Sequence, residues 1–95
     1  MQKGDKLFIR IDHSIEGSDF EPQDIKEHIK YLKNISKERF FMGGGFNNAA
    51  GGMIIFAAKD MSEAKQIADG DPLVKKGLYK YELKEWELVI VSNKR

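Results

Sequence analysis

The chain has 95 residues, of which 41% are hydrophobic and 33% charged, and its 16 basic and 15 acidic residues give a net charge of +1. A chain of this length forms one domain with a thin core, and the near balance of charge argues against a nucleic-acid-binding protein that relies on a basic surface. The absence of cysteine excludes disulfides, thiolate zinc sites and thiol nucleophiles.

The ends of the chain and its apolar runs bear on its location. Met1–Lys6 has no apolar segment typical of a secretory signal, and no apolar run reaches the roughly 18 residues that a membrane span requires. We therefore expect a cytoplasmic protein with neither a membrane nor a nucleic acid as a partner. Residues 1–95 are expected to form a single domain that ends in a solvated tail at residues 92–95.

The first two predicted elements are a strand at Leu7–Ile11 and a helix at about residues 22–36. Along the strand, Phe8, Arg10 and Asp12 share one face. Residues 13–21 contain Gly17 and two serines, Ser14 and Ser18, which predicts a loop. Pro22 suits the first helical position, where its missing N–H has no cost. The apolar side chains that follow recur at helical spacing: Ile25, Ile29, Leu32 and Ile35.

Two strands joined by a glycine-rich loop are predicted next, at Arg39–Met42 and at residues 52–58. The second of them is apolar on both faces, with Met53, Ile55 and Ala57 on one and Ile54, Phe56 and Ala58 on the other. The two helices of this chain can cover only one face of a small sheet. We therefore expect a second copy of the chain to cover the other face, which predicts a homodimer.

The remaining pattern completes a β-α-β-β-α-β order. A second helix begins after Asp60 and ends at Gly70, and a short helical turn begins at Asp71-Pro72. The last strand is predicted at Tyr79–Val91, with a bulge near Lys84 because the apolar alternation changes phase there. This order predicts a ferredoxin-like α+β fold, a four-stranded antiparallel sheet with two helices on one face.

His28 and Asp71 are the candidate proton-transfer residues. His28 borders the apolar stripe of the first helix, and a half-buried histidine can exchange protons near neutral pH. Asp71 would orient that imidazole if the two side chains met. The simpler interpretation is that His28 covers apolar surface and that Asp71 caps its helix.

Three other chemistries find little support. His13, His28 and Asp12 could form a two-histidine, one-carboxylate metal site, but their spacing matches no metal motif, so no metal or other cofactor is predicted. Gly43–Gly45 and Gly51-Gly52 join two strands without a Gly-Lys-Ser/Thr sequence, which favours a turn or a close approach to a ligand over a phosphate loop. The third strand has one aromatic residue, Phe56, and no basic residue, which does not match the basic and aromatic strand of an RNA-recognition module.

The chain resembles YciI-like proteins of the YCII-related family over about residues 24–90. The features that carry the resemblance are His28 in the first helix, the glycines after the second strand, the apolar third strand, the helix Ser62–Asp69, Asp71-Pro72, Gly77-Leu78-Tyr79 and Trp86. The resemblance implies a dimeric α+β barrel in which two sheets pack face to face. It also implies that His28 and Asp71 are the recurrent polar residues of the site. Ile25 stands where many relatives carry an arginine, so an anchor for anionic substrates is missing here.

The resemblance implies small enzymes, one of which removes chloride from a chlorinated aromatic compound. We expect a homodimer that binds a small, partly apolar molecule and catalyses cofactor-free elimination, isomerisation or dehalogenation with His28 and Asp71. The alternative is a non-catalytic module for binding or assembly. The residues expected to contact the ligand are Phe8, Phe40, Gly45, Phe46 and Tyr79.

Overall fold

The computed structural model describes residues 1–93, so positions 94 and 95 of the predicted tail lie outside the described residues. The elements in chain order are β1 (Lys6–Ser14), α1 (Pro22–Ser36), β2 (Phe41–Gly45), β3 (Gly52–Phe56), α2 (Met61–Asp69), α3 (Pro72–Lys75) and β4 (Tyr79–Glu87). No helix within residues 1–93 is long and apolar enough to cross a membrane.

The four strands form one antiparallel sheet in the order β2-β3-β1-β4. This order and the β-α-β-β-α-β sequence of elements define the ferredoxin-like α+β fold, as the sequence predicts. The central strands β1 and β3 pair with Phe8 opposite Phe56 and with Ile11 opposite Met53. The sheet therefore brings distant parts of the chain side by side at the middle of the molecule.

The hydrophobic core lies between the sheet and the helices. Phe8, Ile54 and Phe56 are almost fully buried, and they pack with Ala64 and Ile67 of α2. Leu32 and Ile35, from the apolar stripe of α1, pack against the same cluster. The predicted faces of the third strand are thus confirmed for Ile54 and Phe56, which lie under the helices.

The opposite face of the sheet carries apolar side chains that no helix within residues 1–93 covers. Met53 lies on this face, and its side chain is 37% exposed. The register places Ile9, Ile11, Met42, Ile55 and Trp86 on the same face. We call this surface, formed by Ile9, Ile11, Met42, Met53, Ile55 and Trp86, the open face.

The structure corrects boundaries of all four strands. β1 continues through Ser14, so His13 belongs to a strand and the predicted loop starts later. β2 begins at Phe41 and includes the glycines to Gly45, so these glycines form ladder pairs rather than the loop. β3 ends at Phe56 and β4 ends at Glu87, earlier than predicted.

The predicted bulge in the last strand is wrong. β1 and β4 pair without interruption, with Ile9 opposite Lys84 and Phe8 opposite Glu85. The apolar alternation changes phase because Leu83 faces the helices, whereas Trp86 lies opposite Leu7 on the other face of the sheet. Two faces that both carry apolar side chains produce the same sequence pattern as a bulge.

Two ion pairs fix the short helix α3 beside α1. The Nζ of Lys76, directly after α3, lies 2.7 Å from Oδ1 of Asp24 and 2.8 Å from Oε1 of Glu27. Asp24 also completes a capping box with Glu21 at the start of α1. The start of α3, where Asp71 lies, is thereby held against the middle of α1, where His28 lies.

Candidate functional site

Asp71 contacts both its own helix and His28. Its Oδ1 accepts a hydrogen bond of 2.9 Å from the Leu73 N–H and caps α3. The Nδ1 atom of His28 lies 2.9 Å from Oδ1 and 2.8 Å from Oδ2 of the same carboxylate. Asp71 is fully buried, and the His28 side chain is 13% exposed. The structure therefore brings together the two residues that the sequence singles out.

Arg10 of β1 joins this pair to a second carboxylate. Its Nη2 donates to Oδ2 of Asp71 over 2.9 Å, and its Nε donates to Oδ1 of Asp12 over 2.6 Å. Arg10 and Asp12 are almost fully buried, and the guanidinium stacks over the Tyr81 ring at 5.7 Å. A buried guanidinium with two carboxylate partners avoids the cost of an unpaired charge.

The two carboxylates respond in opposite directions to this environment. Burial alone would raise the pKa of Asp71, but the hydrogen bond from His28, the Arg10 charge and the Leu73 N–H together hold that pKa below its ordinary value. Burial raises the pKa of Asp12, and the attraction of Arg10 offsets this only in part. Asp71 is consequently ionised at neutral pH and can only accept hydrogen bonds.

The charge on Asp71 determines the tautomer of His28. Because an ionised carboxylate has no proton to donate, Nδ1 of His28 must carry the shared proton. Nε2 then has a free lone pair in the neutral imidazole. Among residues 1–93, no group forms a hydrogen bond to Nε2. The arrangement of His28 and Asp71 is that of a base oriented by a carboxylate.

A cavity of about 140 Å³ adjoins His28 between α1 and the sheet. One wall is polar and consists of Asp12, His28 and Tyr79. The rest is apolar or backbone and consists of Ile29, Leu32, Ile54, Gly43, Gly44, Gly45, Gly51 and Gly52. The Tyr79 ring packs edge-on against the His28 ring with 6.0 Å between their centroids. Burial and the charges of Asp12 and Asp71 raise the pKa of Tyr79, so its hydroxyl keeps its proton.

The predicted ligand-contacting residues are divided between this cavity and other places. Gly45 and Tyr79 line it. Phe8 lies in the hydrophobic core, and Phe40 is 40% exposed outside the cavity wall. Phe46 lies in a groove with Met42 and Met53 on the open face. β2 starts at Phe41, two residues later than predicted, so the glycines Gly43–Gly45 lie in the strand beside the cavity.

Arg10 and Asp12 are the site residues that the sequence did not reveal. The alternation of β1 places both on the face of Phe8, which is the face that the helices cover. Two charged side chains on the buried face of a central strand are costly unless they are paired. That pattern was the available signal, and it indicates a buried ionic cluster with a partner elsewhere in the chain.

His13 does not join the site. It lies on the opposite face of β1 from Asp12, and its Nε2 is 3.1 Å from Oε2 of Glu82 at the exposed surface. The metal site with His13, His28 and Asp12 is therefore wrong. Among residues 1–93, no group of three or more histidine, cysteine, aspartate and glutamate side chains is placed to hold a metal ion.

The chain belongs to the YCII-related domain family, since the model of that family matches residues 8–87. It is 34% identical over 70 residues to the uncharacterized protein YjpA of Bacillus subtilis (strain 168), a match that covers 73% of this chain and 82% of that protein. The predicted family resemblance is thereby confirmed.

A solved structure shares the fold. It is the 5-chloro-2-hydroxyhydroquinone dehydrochlorinase TftG of Burkholderia phenoliruptrix AC1100, in complex with 2,5-dihydroxybenzoquinone. The TM-score is 0.72 at 22% sequence identity, and the match covers 85% of this chain and 93% of that chain. At this level of identity the likeness establishes the ferredoxin-like architecture.

Proposed function

We propose that this protein is a cytoplasmic homodimer that binds a small, partly apolar molecule beside His28 and transfers a proton to or from it. The observation that carries the proposal is the contact of 2.8 Å between His28 Nδ1 and Asp71 Oδ2 at the wall of a cavity. Candidate reactions are elimination and isomerisation, including loss of hydrogen chloride. Each of them moves a proton without a redox step.

His28 would act as the base and Asp71 as its orienting partner. Nε2 would accept the proton of the substrate, and Asp71 would stabilise the imidazolium that results. Arg10 holds the Asp71 carboxylate in place through its hydrogen bond of 2.9 Å. A single positioned base supplies about 10²–10⁴-fold acceleration, which suits a reaction whose substrate is already activated.

The size of the cavity supports a ligand with one ring. Its volume of about 140 Å³ is close to the roughly 150 Å³ of an engineered apolar cavity that binds benzene. Ile29, Leu32 and Ile54 would contact the apolar part of such a ligand. The ligand in the TftG structure, 2,5-dihydroxybenzoquinone, is also a single ring, which supports the same size class.

The open face supports the homodimer. Trp86, Met42 and Met53 are 42%, 54% and 37% exposed there. Uncovered apolar side chains that lie together on one surface mark an interaction site. A second copy that places its own open face on this one would bury both sets, because the same surface is self-complementary across a twofold axis.

Chloride release tests the catalytic proposal. The wild-type protein would be incubated with 5-chloro-2-hydroxyhydroquinone, together with His28→Gln and the matched control His13→Gln. Loss of hydrogen chloride removes one proton and one chloride and requires no oxidant, so one base is sufficient. We expect His28→Gln to slow chloride release by about 10²–10⁴-fold and His13→Gln to leave the rate unchanged.

The opposite result would favour the alternative function. If the wild-type protein and His28→Gln release chloride at the same rate, the catalytic proposal is wrong for this substrate. Binding of a single-ring ligand in the cavity without turnover would then indicate a non-catalytic binding module. The position of Asp71 is equally consistent with a binding module, because its cap on α3 is a purely structural contact.

A further inference from the structure

Asp12 is a polar side chain of the cavity wall that the proposed reaction does not use. Its Oδ1 accepts the Arg10 hydrogen bond of 2.6 Å, and among residues 1–93 no group forms a hydrogen bond to Oδ2. Among the described side chains, Arg39 Nε is the fully buried nitrogen or oxygen atom that has no hydrogen-bond partner. Oδ2 of Asp12 also has no partner in the described part of the chain but does not belong to these fully buried atoms. It is therefore not sealed inside the protein. Since Asp12 lines the cavity, that oxygen is available to a ligand.

The cavity wall contains no residue that attracts an anion strongly. Within the described residues, no lysine or arginine lines the cavity. The charged side chain in its wall is that of Asp12, and the other titratable side chain that could carry a charge near neutral pH is that of His28. Arg10 is 1% exposed, and its Nε and Nη2 donate to Asp12 and Asp71. The lysines of α1, such as Lys26, Lys30 and Lys33, line a groove outside the cavity.

An anionic ligand would therefore lose its hydration without gaining a cationic partner. It would also lie close to Asp12, a carboxylate of the same sign, where little water screens the repulsion. An uncharged ligand with an N–H or O–H group would instead donate to Oδ2 of Asp12. Because burial raises the pKa of Asp12, its carboxylate is a stronger acceptor than an exposed one.

We infer that Asp12 makes the cavity selective for uncharged, ring-sized molecules that donate a hydrogen bond, and against carboxylates and other anions. This inference rests on the proposed ligand-binding function and names the class of ligand. Asp12 is thus a specificity residue, and His28 remains the group that transfers the proton.

Benzamide and benzoate test the inference, because they have the same ring and nearly the same size. Benzamide is uncharged and donates N–H bonds, whereas benzoate is an anion. Both would be titrated into wild-type protein while the amide NMR signals of Gly43–Gly45 are followed. A hydrogen bond to a charged group is worth about 1.5–3 kcal/mol, so we expect benzamide to bind at least about tenfold more tightly.

The variant Asp12→Asn removes the charge and offers an N–H group to the ligand. The ratio of the two dissociation constants should fall to about one in this variant. The control Asp19→Asn removes the same charge from an exposed loop and should keep the wild-type ratio. If Asp12→Asn does not fold, the affinities of phenol and toluene for the wild-type protein test the inference instead. The two ligands differ by one hydroxyl donor, so phenol should bind more tightly.

Several results would overturn the inference: equal affinities for benzamide and benzoate in the wild-type protein, an unchanged ratio in Asp12→Asn, or no benzamide binding at the cavity. An unchanged ratio together with His28-dependent chloride release would overturn the selectivity alone. A preference for benzamide that depends on Asp12, in a protein that releases no chloride, would support the selectivity and overturn the proposed catalysis.

Discussion

The imidazole Nδ1 of His28 lies 2.8 Å from Oδ2 of Asp71, although 43 positions separate the two residues. The other oxygen of the same carboxylate accepts the Leu73 N–H and caps α3. One buried side chain therefore determines where a helix starts and how an imidazole is oriented. The cap and the candidate catalytic pair, which are alternatives at the level of sequence, exist together in the structure.

Asp71→Asn should destabilise the protein by about 3 kcal/mol at neutral pH, because it leaves the buried Arg10 without one of its two carboxylates. Asparagine is itself a good helix cap, so the loss reports the ion pair rather than the cap. Urea unfolding measures the difference in the free energy of unfolding. Asp60→Asn is the matched control, since Asp60 caps α2 at the surface.

The control should lose less than about 0.5 kcal/mol, the usual range for an exposed substitution. If Asp71→Asn and Asp60→Asn lose the same small amount, the buried ionic cluster does not contribute to stability in the way that its geometry indicates.

Asp71 and Asp12 should give opposite dependences of stability on pH. The folded-state pKa of Asp71 lies below its ordinary value of 3.8, so its ionisation stabilises the fold above pH 3.8 and this contribution disappears as the pH falls through the lower folded value. The folded-state pKa of Asp12 lies above 3.8. Its contribution is therefore present below pH 3.8 and is lost as the pH rises through the higher folded value.

Urea unfolding of both asparagine variants across the acidic range checks this prediction. The stability advantage of wild type over Asp71→Asn should be largest at neutral pH and should shrink in acid. The advantage over Asp12→Asn should be largest in acid and should shrink toward neutral pH. Parallel curves for the two variants would contradict the opposite pKa directions.

Ile55→Lys should give a monomer that keeps its fold, if the wild-type protein is the proposed homodimer. Ile55 lies on the open face, so a lysine there would place a charge in the proposed interface. Ile54→Lys should instead unfold the protein, because Ile54 is 4% exposed in the core beneath the helices. Light scattering gives the mass, and circular dichroism reports the fold.

Ile25→Lys is the control for this experiment, because Ile25 is 39% exposed on α1, away from the open face. Its mass should equal that of the wild-type protein. A folded Ile55→Lys variant with the wild-type mass would exclude the face-to-face dimer.

Gly45→Val should weaken benzamide binding without unfolding the protein. A side chain at Gly45 would enter the cavity, and the nearest atom to its Cβ would be the Gly51 carbonyl oxygen at 3.8 Å. By contrast, a Cβ at Gly52 would lie 2.5 Å from the Gly44 carbonyl oxygen, so Gly52→Ala should destabilise the sheet. Equal benzamide affinity in Gly45→Val and wild type would mean that the ligand does not occupy this cavity.

The periodic and local features of the fold could be predicted from the sequence. The helical stripe that begins after Pro22 and the Asp-Pro cap at Asp71 predicted α1 and the start of α3 correctly. These elements can be predicted because capping and amphipathic packing depend on residues close together in the chain. The both-sided apolar character of β3 likewise predicted an uncovered face of the sheet.

The ionic cluster could not be predicted in the same way. Arg10 and Asp71 are 61 positions apart, and their contact forms only where β1 and the start of α3 meet in the folded chain. The assumed ligand contacts of Phe8, Phe40 and Phe46 depended on aromatic character alone. Aromatic side chains occur in cores and on exposed sheet faces as readily as in ligand sites. Only the three-dimensional arrangement distinguishes these roles.

We propose that Asp71 orients His28 so that its Nε2 contacts a ligand in the cavity. The most direct test is the long-range ¹H–¹⁵N NMR spectrum of the two histidine side chains, recorded with and without benzamide. We expect the neutral His28 imidazole to carry its proton on Nδ1 and its Nε2 signal to move on addition of benzamide, while the signals of exposed His13 stay in place. A His28 imidazole with its proton on Nε2, or one whose signals do not respond to benzamide, would show that Asp71 and His28 do not have these roles.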